Sequence, residues 1–306
     1  MNPDLVRKLS ELLQEVTGFI YPNEVEIHWS ILIVVYPYIT GLVAGAFILA
    51  SLVQVFNVKE VQPTYRLALL TALAFLLIAP LPLQFHLGHP ERAFEIFLTP
   101  QLGSAMAMFG FVYLWYLMAV LLLEIWFEYR KDMILWSKGG KAPMKWIYRG
   151  LSLFSSDISE EAVAFDKKAI KVITVIGIPS AFILHGYVGF IFGSVKANPW
   201  WSSVLIPIVF LMTAIVSGIA LVIFLYMVIT PLRGEGINMP CLDKITSYLF
   251  YAVIVDFTLE ALDFLHRLYE SEESIKILSK LVTGKLFVSL WVIQILLGML
   301  IPLAIM

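Results

Sequence analysis

The sequence predicts an all-α, polytopic transmembrane bundle with about seven spanning helices, and three observations carry that prediction. Hydrophobic residues make up 60% of its 306 residues and charged ones 14%, against about 25% charged in a typical soluble domain; the mean hydropathy is strongly positive. Several apolar runs reach the roughly 20 residues that cross about 30 Å of hydrocarbon. The runs lack the short alternating pattern of a membrane β-barrel, so the backbone must satisfy its own hydrogen bonds as helix.

The chain divides into an N-terminal segment, 1–28, and a transmembrane domain, 29–306. Asp4, Glu11 and Glu15 stand where a cleavable signal needs basic and then apolar residues, so 1–28 reads as retained. Leu5, Leu9, Leu12, Leu13 and Val16 recur at helical spacing. That pattern suits an amphipathic helix on the membrane interface or against a partner, or a merely solvated tail. Spanning segments follow at 29–56, 66–85, 102–127, 170–192, 204–229, 247–265 and 285–305. Pro37, Pro179, Pro207 and Pro302 interrupt them as kinks that neighbouring helices can tolerate.

Nine of the 21 Lys and Arg residues fall between Arg130 and Lys171, in a long loop at about 128–169. The positive-inside bias places this loop in the cytoplasm and the N-terminus outside, in a cell inner (cytoplasmic) membrane. Asp157, with Glu160 three residues later, predicts an N-cap for a helix that runs into the fourth span. The first half of the loop mixes Trp136, Lys138, Lys141, Lys145, Trp146 and Arg149. Such a mixture serves as an anchor to anionic lipid or as a docking surface for a cytoplasmic protein. Val43-Ala44-Gly45-Ala46 is echoed by Val216-Ser217-Gly218-Ile219, a sign either of a repeat or of small residues that let helices approach closely.

A net charge of −2 and a single cysteine, Cys241, leave no basic surface for nucleic acid and no thiolate set for an iron–sulfur cluster or structural zinc. Intramembrane titratable groups then become the informative ones, since each is expensive without a partner, a cavity or a function. The predicted topology places His28, His86, His89, His185 and His266 in one layer, the outer half of the membrane. Asp256, Glu260 and Asp263 share one face of the sixth span, about 10 Å long. They read as a proton route, or as structural acids paired with Arg92, Arg267 or a histidine. Gly88 and Pro90 turn the chain sharply, and Glu91 and Arg92 are expected to pair beside them. Gly186 and Gly189 strip bulk from the fourth span beside His185 and Tyr187. An apolar slot with a few donors fits a quinone, whose carbonyls need hydrogen-bond partners and protons as electrons arrive.

Several of these features in order resemble the NrfD/PsrC family of integral membrane subunits, found in polysulfide-reductase-type and related respiratory complexes. They are His28-Trp29 leading into Gly41-Leu-Val-Ala-Gly45; His86-Leu-Gly-His-Pro-Glu-Arg92, similar to the family's Asp-Leu-Gly-Arg-Pro-Glu-Arg; Ser104; His185-Gly-Tyr-Val-Gly189; and Asn198-Pro-Trp. The resemblance covers about 25–300. It implies a quinone- or menaquinone-reactive anchor without its own haem or iron–sulfur cluster, active in electron transport, respiratory-chain and sulfur metabolism. It also implies a ferredoxin-like iron–sulfur partner subunit, which wires to a molybdopterin, multihaem or other catalytic subunit. His28 and His185 or Tyr187 match the quinone-site positions, with His86 beside them. Two departures are visible: His86 replaces the acid that opens the family's turn, and seven spans are counted where the family typically has at least eight, in two four-helix bundles.

Two other function classes compete. A secondary transporter or proton-conducting protein also uses intramembrane acids and proline-broken helices, but it wants a site near the midplane. A dihaem anchor needs four histidines facing in pairs at two depths, whereas the predicted layer is single.

Overall fold

The structure is a computed structural model, and it describes residues 30–87, 89–99, 103, 105–139, 143–195 and 200–306. The amphipathic segment 1–28, Trp29, Gly88, Ser104, Lys141 and Asn198-Pro199 lie outside these. Among the described residues the chain is built of helices: α1 Ile31–Gln54, α2 Gln62–Ile78, α3 Pro80–His86, α4 Glu95–Leu98, α5 Ala105–Leu114, α6 Leu123–Gly139 and α7 Met144–Leu151. Then come α8 Glu160–Gly193, α9 Ile206–Leu232, α10 Met239–Glu270, α11 Glu272–Lys280 and α12 Ile301–Ile305. Wider i→i+5 turns at Trp115–Leu122 join α5 to α6, and similar turns at Val288–Leu300 lead into α12.

Six continuous helical stretches are long and apolar enough to cross a membrane: Ile31–Gln54, Lys59–His86, Gly110–Gly139, Glu160–Gly193, Ile206–Leu232 and Val288–Ile305. The remaining expected span, 247–265, is helical within α10, but Asp256, Glu260 and Asp263 interrupt its apolar run. The all-α, multi-pass bundle predicted from hydropathy is therefore the architecture found.

α1 is the hub, packed on α2, α8 and α9. Its middle is lined with small residues, and they decide the packing. A Cβ placed on Gly45 would lie 2.0 Å from the Ala214 carbonyl oxygen, and one on Gly218 would lie 2.5 Å from Gly45 Cα. The two echoed sequence patches are thus the two halves of one helix crossing. Gly177 likewise makes room for the Phe47 ring. The core that follows is aromatic and aliphatic, with Phe47, Leu69, Tyr116 and Leu184 fully buried. Pro37 and Pro179 lie inside helices, as expected; Pro207 and Pro302 sit in first turns, where a missing N–H costs nothing.

The stretch 128–169 is largely helical. α6 continues to Gly139 beyond the apolar part of its span, and α8 starts at Glu160. Its cap is Ser159, which accepts from the Ala162 N–H (3.2 Å), two residues beyond the expected Asp157. Asp157 instead accepts from the Ser159 N–H (2.9 Å), and that bond holds its carboxylate below the usual range. The turn is pinned by Arg130, which makes a two-nitrogen bond to Asp166 (2.9 and 2.7 Å) and donates to the Asp157 carbonyl (3.0 Å).

Candidate functional site

Two cavities open beside α1 at the end of the bundle that carries His86. The larger, about 720 Å³, is bounded by Ile33 and Tyr36 of α1, Gln84 and His86 of α3, Tyr113 of α5 and Val188 of α8, with Phe94 and Phe97 at its rim. The smaller, about 290 Å³, lies on the other side of α1 and α8, against His185, Gly41, Phe210 and Ser217. Phe192 borders both.

The larger cavity lies against the last turns of the second span, where prolines remove backbone donors. Ala79 ends one helical stretch, and Pro80 and Pro82 start α3 with their missing N–H groups in its first turn. α3 then carries Gln84 and His86 to the mouth. There His86 Nδ1 lies 3.0 Å from the hydroxyl of Ser30, which also caps α1 by accepting from the Leu32 N–H. At the inner wall Tyr113 donates to the Leu76 carbonyl (3.0 Å), and Tyr187 stands close to Tyr36 with its buried hydroxyl unpartnered. The lining is therefore mostly apolar, with an imidazole and an amide at one end and phenols at the other. Phe85, Phe94 and Phe97 leave large exposed apolar surfaces around the mouth, where lipid would meet the protein.

His185 is placed differently. It is 3% exposed, its Nδ1 is 3.3 Å from the Thr40 hydroxyl, and its ring stacks on Phe210 at 5.9 Å. A Cβ on Gly41 would come within 3.1 Å of the ring. His185 thus faces the smaller cavity and also fastens α1 to α8. Thr40 is ten residues from Ser30, about 15 Å along α1, so His185 lies well below His86. The expected slot beside Gly186 and Gly189 is not open: the Gly189 position is closed by Pro207 of α9, whose Cα would be 2.7 Å from an added Cβ, and Gly186 faces Leu211. Gly189 serves close helix packing, Gly186 meets Leu211 at ordinary contact distance, and the open space beside His185 is the smaller cavity between α1, α8 and α9. His28 is outside the described residues.

The expected Glu91–Arg92 pair is replaced by two neighbouring ones. Glu91 pairs with His89 (3.1 Å) and Arg92 with Glu95 (3.8 Å), because the tight helical turn Pro90–Arg92 points its consecutive side chains apart. His89 and His266 are exposed.

The three acids of α10 share a helix but not an environment. Asp263, 1% exposed, is held by Arg267 one turn later and by the Ser203 hydroxyl. Glu260 accepts from Gln294 Nε2 (2.8 Å), a link to the last apolar helix. Asp256 is 5% exposed and its Oδ1 has no partner. The cavity walls described above come from α1, α3, α5, α8 and α9, with α10 set behind them.

The structure adds one acidic group that sequence patterning does not single out. Glu124, fully buried, accepts from the Tyr65 hydroxyl (3.0 Å) through Oε1, while its Oε2 and the nearby Tyr116 hydroxyl have no partner. Thr174 stands beside it but donates to the Ile170 carbonyl (2.8 Å). Its only signal in the sequence is that of a lone acid inside an apolar run, three residues before the run's expected end at 127.

The chain matches the family described as "Polysulphide reductase, NrfD" over residues 22–306. It is 35% identical over 246 residues to a selenate reductase subunit of Mesobacillus selenatarsenatis, a match that covers 79% of this chain and 57% of that protein. It is 27% identical over 202 residues to a putative dimethyl sulfoxide reductase membrane subunit of Halobacterium salinarum, covering 64% of this chain and 42% of that protein. The chain therefore spans about half the length of these relatives. A match that takes in every helix described above, cavities included, makes this integral, multi-pass membrane protein a member of the polysulphide reductase NrfD family.

Proposed function

We propose that the chain is the membrane anchor subunit of a reductase complex and that it exchanges electrons with a quinone or menaquinone in the larger cavity. The observation that carries this reading is the cavity itself. At about 720 Å³ it lies within the 300–1,000 Å³ of small-molecule sites. It is apolar, it opens among lipid-exposed phenylalanines, and it has hydrogen-bonding groups at its two ends. A quinol entering from the lipid gives up two electrons and two protons. His86, oriented by Ser30, is placed to accept one of those protons or to hold a carbonyl oxygen. His28 is two residues ahead of Ser30 in the sequence and belongs to the same proposal; Tyr187 stands behind Tyr36 rather than in the cavity wall, and His185 belongs to the smaller cavity, where it would serve a quinone only if that cavity were the site. The relatives' names, each a reductase subunit, support the assignment to a complex. Electrons then pass to a ferredoxin-like iron–sulfur partner and through it to a molybdopterin, multihaem or other catalytic subunit. Asp256, Glu260 and Asp263 enter this reading as proton-exchanging groups one helix away from the cavity, with Asp256 the least committed to a structural bond.

Titration of the purified protein with a fluorescent quinone analogue tests the site. His86→Ala should weaken binding by roughly tenfold, the worth of one good hydrogen bond. Ile96→Trp, which fills the cavity without removing a polar group, should abolish binding while the protein stays monodisperse. Unchanged affinity in both variants, with loss in His185→Ala instead, would move the site to the smaller cavity.

A further inference from the structure

The turn between α6 and α8 displays apolar side chains outward, against the usual logic of an amphipathic helix. α7 carries Met144, Ile147 and Leu151 along one face, with Lys145, Arg149 and Trp146 on the other. In a soluble protein that apolar face would be buried. Here each of those residues is exposed, Trp146 at 62%. The next apolar residues in the turn are Leu153 and Phe154, with φ of 52° and 60°, a left-handed conformation that bulky side chains rarely adopt. Backbone bonds from Leu153 N–H to the Gly150 carbonyl and from Phe154 N–H to the Arg149 carbonyl, each 2.9 Å, hold them there. The result leaves Leu153 71% and Phe154 68% exposed.

The level of this ridge is fixed by three contacts. Trp126 Nε1 donates to the Leu151 carbonyl (2.8 Å), and Trp126 packs on Phe127, which meets Phe165 of α8 (6.1 Å). Exposed Lys167, Lys168 and Lys171 follow Phe165 within two turns, so the ridge sits where the apolar part of α8 gives way to charge. Charge identifies the occupant. Residues 133–156 contain no Asp or Glu but hold Lys138, Lys141, Lys145 and Arg149, and the Arg149 guanidinium lies over the Trp146 ring at 5.6 Å.

We propose that 144–154 is an anionic-phospholipid site, in which Lys145 and Arg149 bind the phosphodiester headgroup while Ile147, Leu151, Leu153 and Phe154 sink among the first acyl carbons. The site is independent of the quinone reading and does not need it.

The test uses the full chain in nanodiscs of phosphatidylcholine with a minor fraction of phosphatidylglycerol. A nitroxide on Phe154→Cys should be relaxed by oxygen and protected from an aqueous nickel chelate; Cys241 is buried and stays unlabelled. In the otherwise unaltered chain, Lys145→Gln with Arg149→Gln should cut the phosphatidylglycerol retained after detergent extraction by about tenfold. Free access of the nickel chelate to position 154 would overturn the proposal. So would shielding from both reagents by a co-purifying polypeptide, or retention that the double variant leaves unchanged.

Discussion

Gly45 and Gly218 show what a single hydrogen atom decides in this bundle. With lipid outside and apolar side chains inside, helices gain little from exchanging one apolar contact for another, and close backbone approach supplies the adhesion. Gly218→Ala would place a methyl 2.5 Å from Gly45 Cα, so α1 and α9 must separate. Thermal unfolding in detergent should show a loss of about 1–3 kcal/mol, the usual cost of overpacking, and wild-type stability in Gly218→Ala would mean that the crossing is elsewhere. The small residues are legible in the sequence, as an echo; that they face each other is not, because an echo also fits two separate packing sites. Glu124 is illegible for a different reason. Its hydrogen-bond partner, Tyr65, lies 59 residues away, and such distances carry no periodic signal. The same holds for His86 and Ser30, 56 residues apart. The polar types at the cavity mouth can be read one by one, but their division between two cavities follows from Phe192 and α1, not from spacing.

Among the elements, the α6–α8 connection reads as loop in the sequence because its charge density resembles loop. Helix wins there because the charges are partnered across elements. Arg66 of α2 bonds Glu128 (2.7 Å) and Asp132 (2.8 Å) on α6 and lies over the Tyr129 ring at 4.7 Å, which keeps α6 helical past its apolar part. The stronger tie is Arg130 to Asp166. Both side chains are less than a tenth exposed, and the guanidinium also reaches the turn through the Asp157 carbonyl. Removing one partner of such a pair leaves a buried, uncompensated charge, which costs about 3–5 kcal/mol. Asp166→Asn should therefore lower the midpoint of unfolding strongly, whereas Arg130→Met combined with Asp166→Leu should restore most of it. If the double variant is as unstable as the single one, the pair is needed for more than neutralising charge. Six of the seven expected spans are legible because run length alone sets them, the seventh, 247–265, being helical but interrupted by acids; the cap at Ser159 rather than Asp157 is not, since Asp157-Ile158-Ser159 offers two caps at neighbouring registers.

On the scale of the whole molecule, charge is sorted between the two ends of the bundle. At one end stand Arg66, Lys131, Lys138, Arg149, Lys167, Lys168 and Lys171, with Arg233 close enough to act on the Tyr129 ring. At the other stand fewer cations, Arg92, Arg267, Lys276, Lys280 and Lys285, the first three beside Glu95, Asp263 and Glu272. Insertion responds to Lys and Arg that flank spans and much less to acids, so the partnered acids at either end offset little and the larger number of cations at the first end decides. The orientation expected is therefore with the α6–α8 turn in the cytoplasm and the larger cavity toward the exterior. A green fluorescent protein inserted after Gly139 should fluoresce in intact cells, and an alkaline phosphatase fused after Leu87 should be active; the reverse pair of results would invert the bundle. The outcome also bears on mechanism. On the proposed quinol reading, a cavity near the exterior would release protons on that side by the shortest path, and the buried Glu124 would then stand on the far side of it, nearer the cytoplasm, beside Tyr65 in the fourth position of α2. An inverted bundle would exchange those roles without moving a single side chain.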